Sequence, residues 1–144
     1  ESTRVPFILS VPWITKSHGH ASNKITELVD LYPTLAELAG LTPPANLQGQ
    51  SLLPLLKNPT TKEWSKDLAF SISRSGGESI RTSKWRFTHW GFGAKGEELY
   101  DLKNDPNEFT NLARDPNYSG RLNQLKARLK TKRKAAGYDA SRYK

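Results

Sequence analysis

Leucines recur at helical spacing between residues 28 and 41. They are Leu28, Leu31, Leu35, Leu38 and Leu41. Their steps of three and four residues predict the apolar face of a helix. Pro33 lies inside this run, so we expect a short first turn, a break, and then a new helix with Pro33 in its first turn, where its missing N–H costs nothing. Gly40 suits the left-handed residue that ends a helix.

The chain from Leu68 to Asp101 shows strand patterns and turn residues, which together predict a small sheet. The strand candidates are Leu68 to Ser73, Ser79 to Thr82, Lys84 to Trp90 and Glu97 to Asp101, with a turn at Ser75-Gly76-Gly77. Strands this close in sequence are best joined as antiparallel hairpins. In the third strand, Trp85, Phe87 and His89 share one face and Arg86, Thr88 and Trp90 share the other.

Two further elements are predicted towards the ends of the chain. Val5 to Val11 is a short apolar run whose length and β-branched content favour a buried strand over a helix. Tyr118, Leu122, Leu125 and Leu129 fall at i, i+4, i+7 and i+11, which indicates one stripe of a helix whose other faces are basic. The order of strand, helices, antiparallel sheet and terminal helix predicts an α/β fold.

The positive charge of the chain is concentrated at one end. The net charge is +8, and residues 121–144 hold nine Lys/Arg against Asp139, whereas the first 120 residues balance at 13 positive and 13 negative. A nucleic-acid-binding domain usually spreads its cations over a folded face, so we expect no nucleic-acid partner. No segment approaches the roughly 20 apolar residues that a membrane span needs. The absence of Cys excludes disulfides, thiolate metal sites and cysteine nucleophiles.

Two polar clusters invite a metal-site interpretation, and both favour simpler roles. His18 and His20 lie in a polar loop with no third ligand close in sequence, so we interpret them as solvent-exposed histidines. Asp101, Asp105 and Glu108 do not match the ligand positions of a calcium loop, and turn or cap roles are favoured. No Gly-rich phosphate loop or Gly-x-Ser-x-Gly elbow is present. The residues alone predict no catalytic constellation in this chain.

The segment from Ser79 to Trp90 concentrates cations and aromatic rings. They are Arg81, Lys84, Trp85, Arg86, His89 and Trp90. Such a surface could hold an anionic sugar, because Arg forks onto carboxylate or sulfate and Trp stacks on a ring. The alternative is a sheet with one core face and one solvated cationic face. The basic terminal helix leaves a similar choice, between contact with a nucleic acid, a polyanion or a membrane surface and simple packing of its Leu stripe.

Four strings, in this order along the chain, resemble the C-terminal third of sulfatases in the alkaline-phosphatase superfamily. They are Glu1 to Leu9, Glu27 to Gly40, Gln48 to Leu56, and Ser79 to Trp90 followed by Glu98 to Leu112. The core from Asp30 to Leu35 is the most specific, and the string from Ser79 to Trp90 is most similar to iduronate-2-sulfatase-type enzymes. The resemblance implies an α/β fold, the C-terminal piece of an alkaline-phosphatase-like sulfatase fold, with a small antiparallel sheet and a C-terminal helix.

The resemblance also implies the chemistry of the parent enzyme. Sulfatases hydrolyse sulfate esters with a formylglycine, made from Cys or Ser in a Cys/Ser-x-Pro/Ala-x-Arg motif, beside a bound calcium. This chain has no Cys, and Ser10-Val11-Pro12 fails the motif at Ile14. The formylglycine and the calcium ligands are therefore expected outside this chain, in an N-terminal part of the sulfatase that would be its partner.

The resemblance assigns residues 1–60 to the end of the large α/β domain and residues 61–144 to a C-terminal subdomain with the antiparallel sheet and the basic helix. In the family this subdomain borders the substrate pocket. His89 and Trp90 are therefore predicted to shape the selection of a sulfated sugar or glycosaminoglycan, and Arg81 is a further substrate-binding candidate for which a structural role is favoured. Family members are commonly exported, which implies a periplasmic, extracellular or lysosomal protein.

Two other functions stay open at this point. The first is a non-catalytic module that binds polyanions through the basic C-terminal helix. The second is a phosphodiesterase or phosphatase relative within the same superfamily, in which Thr or Ser would replace formylglycine as the nucleophile.

Overall fold

The computed structural model of the chain describes residues 4–73 and 76–138. The chain divides into two compact units, Glu1–Asp67 and Leu68–Lys144. The first unit contains the helices α1 (Leu31–Leu38) and α2 (Leu53–Lys57). The second contains the strands β1 (Ala69–Ile72), β2 (Glu78–Arg81), β3 (Trp85–His89) and β4 (Glu97–Asp101), followed by the helix α3 (Ser119–Ala135). The mixed α/β class is confirmed.

The break predicted by the leucine spacing lies directly before α1. A 3-10 turn at Leu28–Asp30 precedes the helix, and Pro33 sits in the first helical turn, where backbone N–H groups have no intrahelical partner. The helix ends at Leu38, and Gly40 follows with φ +70°. Residues with a Cβ rarely adopt this conformation, so a glycine ends the helix at little cost.

A fully buried carboxylate, Asp30, joins the start of α1 to the loop that precedes α2. Its Oδ2 accepts a hydrogen bond from the Glu27 backbone N–H at 2.8 Å, and its Oδ1 accepts one from the Gln50 backbone N–H at 2.8 Å. Lys66 Nζ donates to Asp30 Oδ1 at 2.5 Å and to Glu27 Oε2 at 2.9 Å. A charge can be buried here because it is both paired and hydrogen-bonded.

Thr34 and Gly49 complete this contact. Thr34 Oγ1 donates to the Asp30 carbonyl oxygen and accepts from the Leu52 backbone N–H at 2.8 Å. A Cβ added to Gly49 would lie 1.9 Å from the Val29 carbonyl oxygen, so a side chain at this position would force the backbone apart. The motif that starts at Asp30 therefore joins the turn before α1 to the loop before α2.

The segment from Val5 to Val11 is not a strand, and this prediction was wrong. Residues 4–11 have no regular secondary structure, and Val5 and Ile8 are 53% and 87% exposed. A strand needs the hydrogen-bonding groups of a neighbouring strand. Within the described residues 4–67 no strand is available to pair with this segment, so its apolar composition alone does not make it a strand.

The predicted hairpins are confirmed, since β1 to β4 form one antiparallel sheet in chain order. Phe70, Ile80, Phe87 and Leu99 lie opposite one another across the four strands. Ile80, Phe87 and Leu99 in this apolar row are fully buried. Gly76, with φ +77°, lies between β1 and β2, whereas Ser75 of the predicted turn is outside the described residues.

Helix α3 covers the apolar row. Its stripe of Leu122, Leu125 and Leu129 is buried against Ile80, Phe87 and Leu99, with Tyr118 packed at the margin. Full burial of a leucine stabilises a fold by about 1.5–3 kcal/mol, so this stripe holds the helix on the sheet. The predicted terminal helix is therefore confirmed. Among the described helices, none combines the length and apolar character that crossing a membrane would require.

Replacement of Asp30 by alanine should destabilise the first unit strongly. The Asp30→Ala variant leaves the Lys66 ammonium, whose side chain is only 8% exposed, without its buried partner and removes the acceptor of two backbone N–H groups. We expect the free energy of unfolding to fall by about 3–5 kcal/mol, measured by urea denaturation. Glu37→Ala, at an exposed position of the same helix, should change it by less than about 0.5 kcal/mol. Equal effects of the two variants would refute the role assigned to Asp30.

Candidate functional site

His89 faces α3 and contacts a buried carboxylate. His89 Nε2 lies 2.5 Å from Glu78 Oε2, and Arg133 of α3 donates to the same oxygen at 3.1 Å. The side chain of Glu78 is 0% exposed, whereas those of His89 and Arg133 remain 12% and 26% exposed. The carboxylate therefore ties the last turns of α3 to β2 and β3.

The row of the sheet that contains Glu78 is charged. Glu78 lies opposite His89, which lies opposite Glu97, and Lys126 Nζ of α3 is 2.6 Å from Glu97 Oε2. Both carboxylates of the row thus meet a cation from the helix. Glu78 Oε1 has no hydrogen-bond partner among the described residues, and such a buried polar atom costs about 1–3 kcal/mol.

Trp90 lies on the opposite face of the sheet from His89, directly after β3. A Cβ added to Gly77 would lie 2.7 Å from Trp90 Cζ3, so the indole ring lies across the bare backbone of that glycine. Trp90 Nε1 donates to Glu98 Oε1 at 3.1 Å. With 38% of the residue still exposed, the ring is held on one side and remains partly open to solvent.

Arg81 shares the face of Trp90 but belongs to an ion-pair network. Arg81 and Arg86 lie opposite each other on β2 and β3, and Glu108 bridges them: Oε2 is 2.8 Å from Arg86 Nη1 and Oε1 is 3.7 Å from Arg81 Nη1. Four residues along the chain separate Arg81 from Gly77, which corresponds to about 13 Å. Arg81 and Trp90 therefore lie at different ends of this face.

Tyr100 ends the row that contains the two arginines. Burial raises the pKa of Tyr100 above its usual value of 10.0, and the Glu98 and Glu108 carboxylates raise it further. Its hydroxyl is therefore neutral at physiological pH and able to donate a hydrogen bond to an anionic oxygen.

The loop that follows Trp90 adopts left-handed backbone conformations. Gly91 and Gly93 have φ of +54° and +97°, and Phe92 between them has φ +58° and ψ +31°. A bulky residue in this region is strained. The Phe92 ring contacts the edge of His89 and the ring of Tyr138, each at 6.5 Å between centroids. Packing of the Phe92 ring against His89 and Tyr138 therefore helps to offset the backbone strain.

The segment from Asp101 to Asn111 has the turn and cap roles that its sequence indicates. Asp105 Oδ2 accepts from the Thr110 backbone N–H at 2.8 Å. The backbone N–H groups of Thr110 and Phe109 hold the pKa of Asp105 below its usual 3.8, because they stabilise the carboxylate. Asn111 Oδ1 accepts from the Leu99 N–H at 3.0 Å, and its Nδ2 donates to the Glu97 carbonyl at 3.1 Å. The Asn111 amide thus pairs with β4 as a neighbouring strand would.

The two histidines of the first unit make local contacts. A ring nitrogen of His18 is 3.0 Å from the Val11 carbonyl oxygen, and one of His20 is 3.0 Å from the His18 carbonyl oxygen. In the part of the chain that the structure describes, no group of three or more His, Cys, Asp or Glu residues is arranged to hold a metal ion.

Sequence reasoning missed Glu78 and Asn111. The partner of Glu78 on the sheet, His89, follows from the hairpin register, which places position 78 opposite 89. Arg133 is 55 residues from Glu78, and no local pattern signals that contact. Asn111 carries no signal of its own, because its partners depend on how the chain returns along β4.

Residues 1–135 match the family described as N-sulphoglucosamine sulphohydrolase, C-terminal. The chain belongs to this sulfatase family. Over 138 residues it is 38% identical to the Delta 4,5-hexuronate-2-O-sulfatase of Bacteroides thetaiotaomicron, covering 90% of this chain and 28% of that protein. Membership favours the sulfatase interpretation over that of a non-catalytic polyanion-binding module.

A solved sulfatase and a second solved structure share the fold. A 2-O GAG sulfatase aligns with a TM-score of 0.68 at 36% identity, over 80% of this chain and 26% of that one. A structure solved in complex with its substrate, D-glucosamine-2-N,6-O-disulfate, aligns with a TM-score of 0.63 at 28% identity, over 74% and 23% of the two chains. This member of the sulfatase family thus spans about a quarter of the length of its relatives.

A methyl group at position 77 should displace the Trp90 ring. In Gly77→Ala the new Cβ would meet Trp90 Cζ3 at 2.7 Å and Ser73 Oγ at 2.8 Å. We expect a loss of about 1–3 kcal/mol in the free energy of unfolding and an altered near-UV circular dichroism spectrum. Gly120→Ala is the matched control, because a Cβ at that position of α3 meets nothing within 4 Å. Similar spectra for the parent chain and Gly77→Ala would contradict this placement of the ring.

Proposed function

We propose that this chain is the C-terminal part of a sulfatase that hydrolyses a sulfate ester of a sulfated sugar, as in a glycosaminoglycan. The family match over residues 1–135 carries the proposal. Relatives whose names specify a hexuronate 2-O-sulfatase and a 2-O GAG sulfatase support the substrate class. From the family alone, we expect the protein to act in a periplasmic, extracellular or lysosomal compartment.

The catalytic groups would be supplied by residues outside this chain. The residues present fit neither group, because the chain has no Cys, none of its serines lies in the Ser-x-Pro/Ala-x-Arg motif, and its described part contains no cluster suited to a metal ion. We therefore propose that a formylglycine and a calcium ion belong to the N-terminal part of the protein. The contribution of this chain is then to bind and orient substrate rather than to cleave it.

An exposed apolar face in the first unit supports an N-terminal partner. Leu28, Tyr32 and Leu35 follow one another at helical steps and are 65%, 58% and 51% exposed. Contiguous apolar surface of this kind usually marks an interaction site. The relatives are about four times longer than the matched region, so the proposed occupant is the remainder of the large α/β domain.

Within the second unit, Trp90 is the proposed contact with substrate. Its ring is braced by Gly77, tethered to Glu98 and open on the remaining side. His89 is proposed to act as a positioning residue, since its side chain contacts Glu78 on the other face of the sheet. Arg81, which is paired with Glu108, fits the structural role better than direct substrate binding.

The proposed activity is testable with the complete protein that contains this chain. We expect hydrolysis of a sulfated disaccharide, release of inorganic sulfate, and loss of turnover when calcium is removed by a chelator. A matched phosphate ester serves as the comparison substrate. Preferential cleavage of the phosphate ester would favour the phosphatase or phosphodiesterase alternative, and turnover of neither ester would argue against both enzymes.

Loss of the Trp90 ring should weaken substrate binding more than it slows chemistry. In Trp90→Ala of the complete protein we expect KM to rise about fivefold with kcat within about twofold, because an aromatic contact contributes about 1 kcal/mol. Phe109→Ala is the control, since Phe109 is an aromatic residue of the same unit that is 84% exposed. A fall in kcat at constant KM would rule out the proposed contact.

A further inference from the structure

The cations of α3 have different surroundings. Between residues 119 and 138 the chain has seven Lys or Arg residues and no Asp or Glu. Arg133 pairs with Glu78 at 3.1 Å, and Arg121 lies over the Trp85 ring at 5.3 Å from its centroid. Lys130 and Lys134 are exposed. Packing on the sheet therefore explains some of these cations, and it does not explain the exposed lysines.

Lys126, Lys130 and Lys134 form one row along α3, which we call the lysine row. Helical residues four apart lie above one another, about 6 Å along the axis, so the row extends about 12 Å. Lys126 forms an ion pair with Glu97 of β4, and its side chain is 38% exposed. The neighbouring side chains of Asn123, Ala127 and Thr131 are uncharged and exposed, so the helix itself supplies no carboxylate to the exposed Lys130 and Lys134.

The lysine row works against the stability of the helix that carries it. Like charges at i and i+4 repel, and the row contains two such pairs, Lys126 with Lys130 and Lys130 with Lys134. The helix dipole favours a cation in the last turn, which accounts for Lys134, but it falls off before Lys130. Residues that lower the stability of their own helix, with no structural gain, are typical of a functional surface.

We infer that the lysine row is a binding surface for a sulfated polysaccharide, the polymer that carries the substrate sugar. This inference deepens the proposed function and rests on it for the identity of the polymer. A sulfated polysaccharide presents successive anions along an extended chain, and a linear row of cations complements such a ligand. The row would attract the polymer and keep it bound between cleavage events, because a chain held at several points dissociates slowly.

Binding can be measured on this chain without turnover, by fluorescence anisotropy with a labelled heparin oligosaccharide. The double variant Lys130→Gln/Lys134→Gln keeps the Lys126–Glu97 pair and removes two exposed charges. We expect about tenfold weaker binding at low salt. The negative slope of log affinity against log salt concentration should become shallower by about two, one for each lost cation. A chemically desulfated oligosaccharide should bind the parent chain much more weakly.

Two controls separate the row from general charge. Lys57→Gln/Lys103→Gln removes the same charge from exposed positions elsewhere and should change affinity by less than about twofold. On α3 itself, Lys132 lies about 200° around the helix from Lys130, so Lys132→Gln should weaken binding less than Lys130→Gln. Far-UV circular dichroism checks that each variant keeps its helix content.

Equal losses in the lysine-row variant and the Lys57/Lys103 control would overturn the inference, and so would equal binding of the desulfated oligosaccharide. Tighter binding of duplex DNA of matched charge would overturn the choice of partner. Because these readouts need no catalysis, their failure leaves the sulfatase proposal intact, and failure of the activity assay leaves the binding result intact.

Discussion

Glu78 determines where α3 can lie on the sheet. Its side chain is fully buried, and burial of a charge is costly unless the charge is paired and hydrogen-bonded. His89 from β3 and Arg133 from α3 both reach the same oxygen. The leucine stripe packs on the sheet through non-directional apolar contact, whereas the Arg133 contact is an ion pair between one residue of the helix and one residue of the sheet. The apolar row holds α3 on the sheet, and the Glu78–Arg133 ion pair fixes the position of the helix along it.

The strings that link this chain to sulfatases act mainly as architecture. The motif at Asp30 collects two backbone N–H groups and a lysine, and Thr34 extends the network to the next loop. In the later string, Asp105 closes a turn and Glu108, at φ +61°, bridges two arginines. The family pattern therefore marks how the piece is built, and a shared motif of this kind does not locate the chemistry.

Local sequence patterns predicted the helices and strands of the second unit. Contacts between residues far apart in sequence could not be predicted from such patterns. The stripe ending at Leu129 and the hairpins around Gly76 follow from spacing and turn residues a few positions apart. The strand expected from Val5 to Val11 failed because pairing depends on a neighbour that local sequence cannot supply. His89 and Trp90, adjacent in sequence, point to opposite faces, so strand alternation already separated them. Arg133, the partner of Glu78 from α3, lies 55 residues away, beyond any local pattern.

β4 is an edge strand of the sheet. The unpaired backbone N–H and C=O groups on its outer edge could pair with a strand of another molecule. The Asn111 amide occupies both an N–H and a carbonyl at the centre of that edge. The Leu112 backbone N–H also donates to the Leu99 carbonyl at 2.8 Å, so this short segment partly covers the edge and discourages edge-to-edge aggregation of the sheet. This protection depends on the side-chain amide of Asn111, which can be lost by deamidation. Deamidation would turn the donating NH₂ into a carboxylate oxygen facing the Glu97 carbonyl, so the edge would open as the protein grows old.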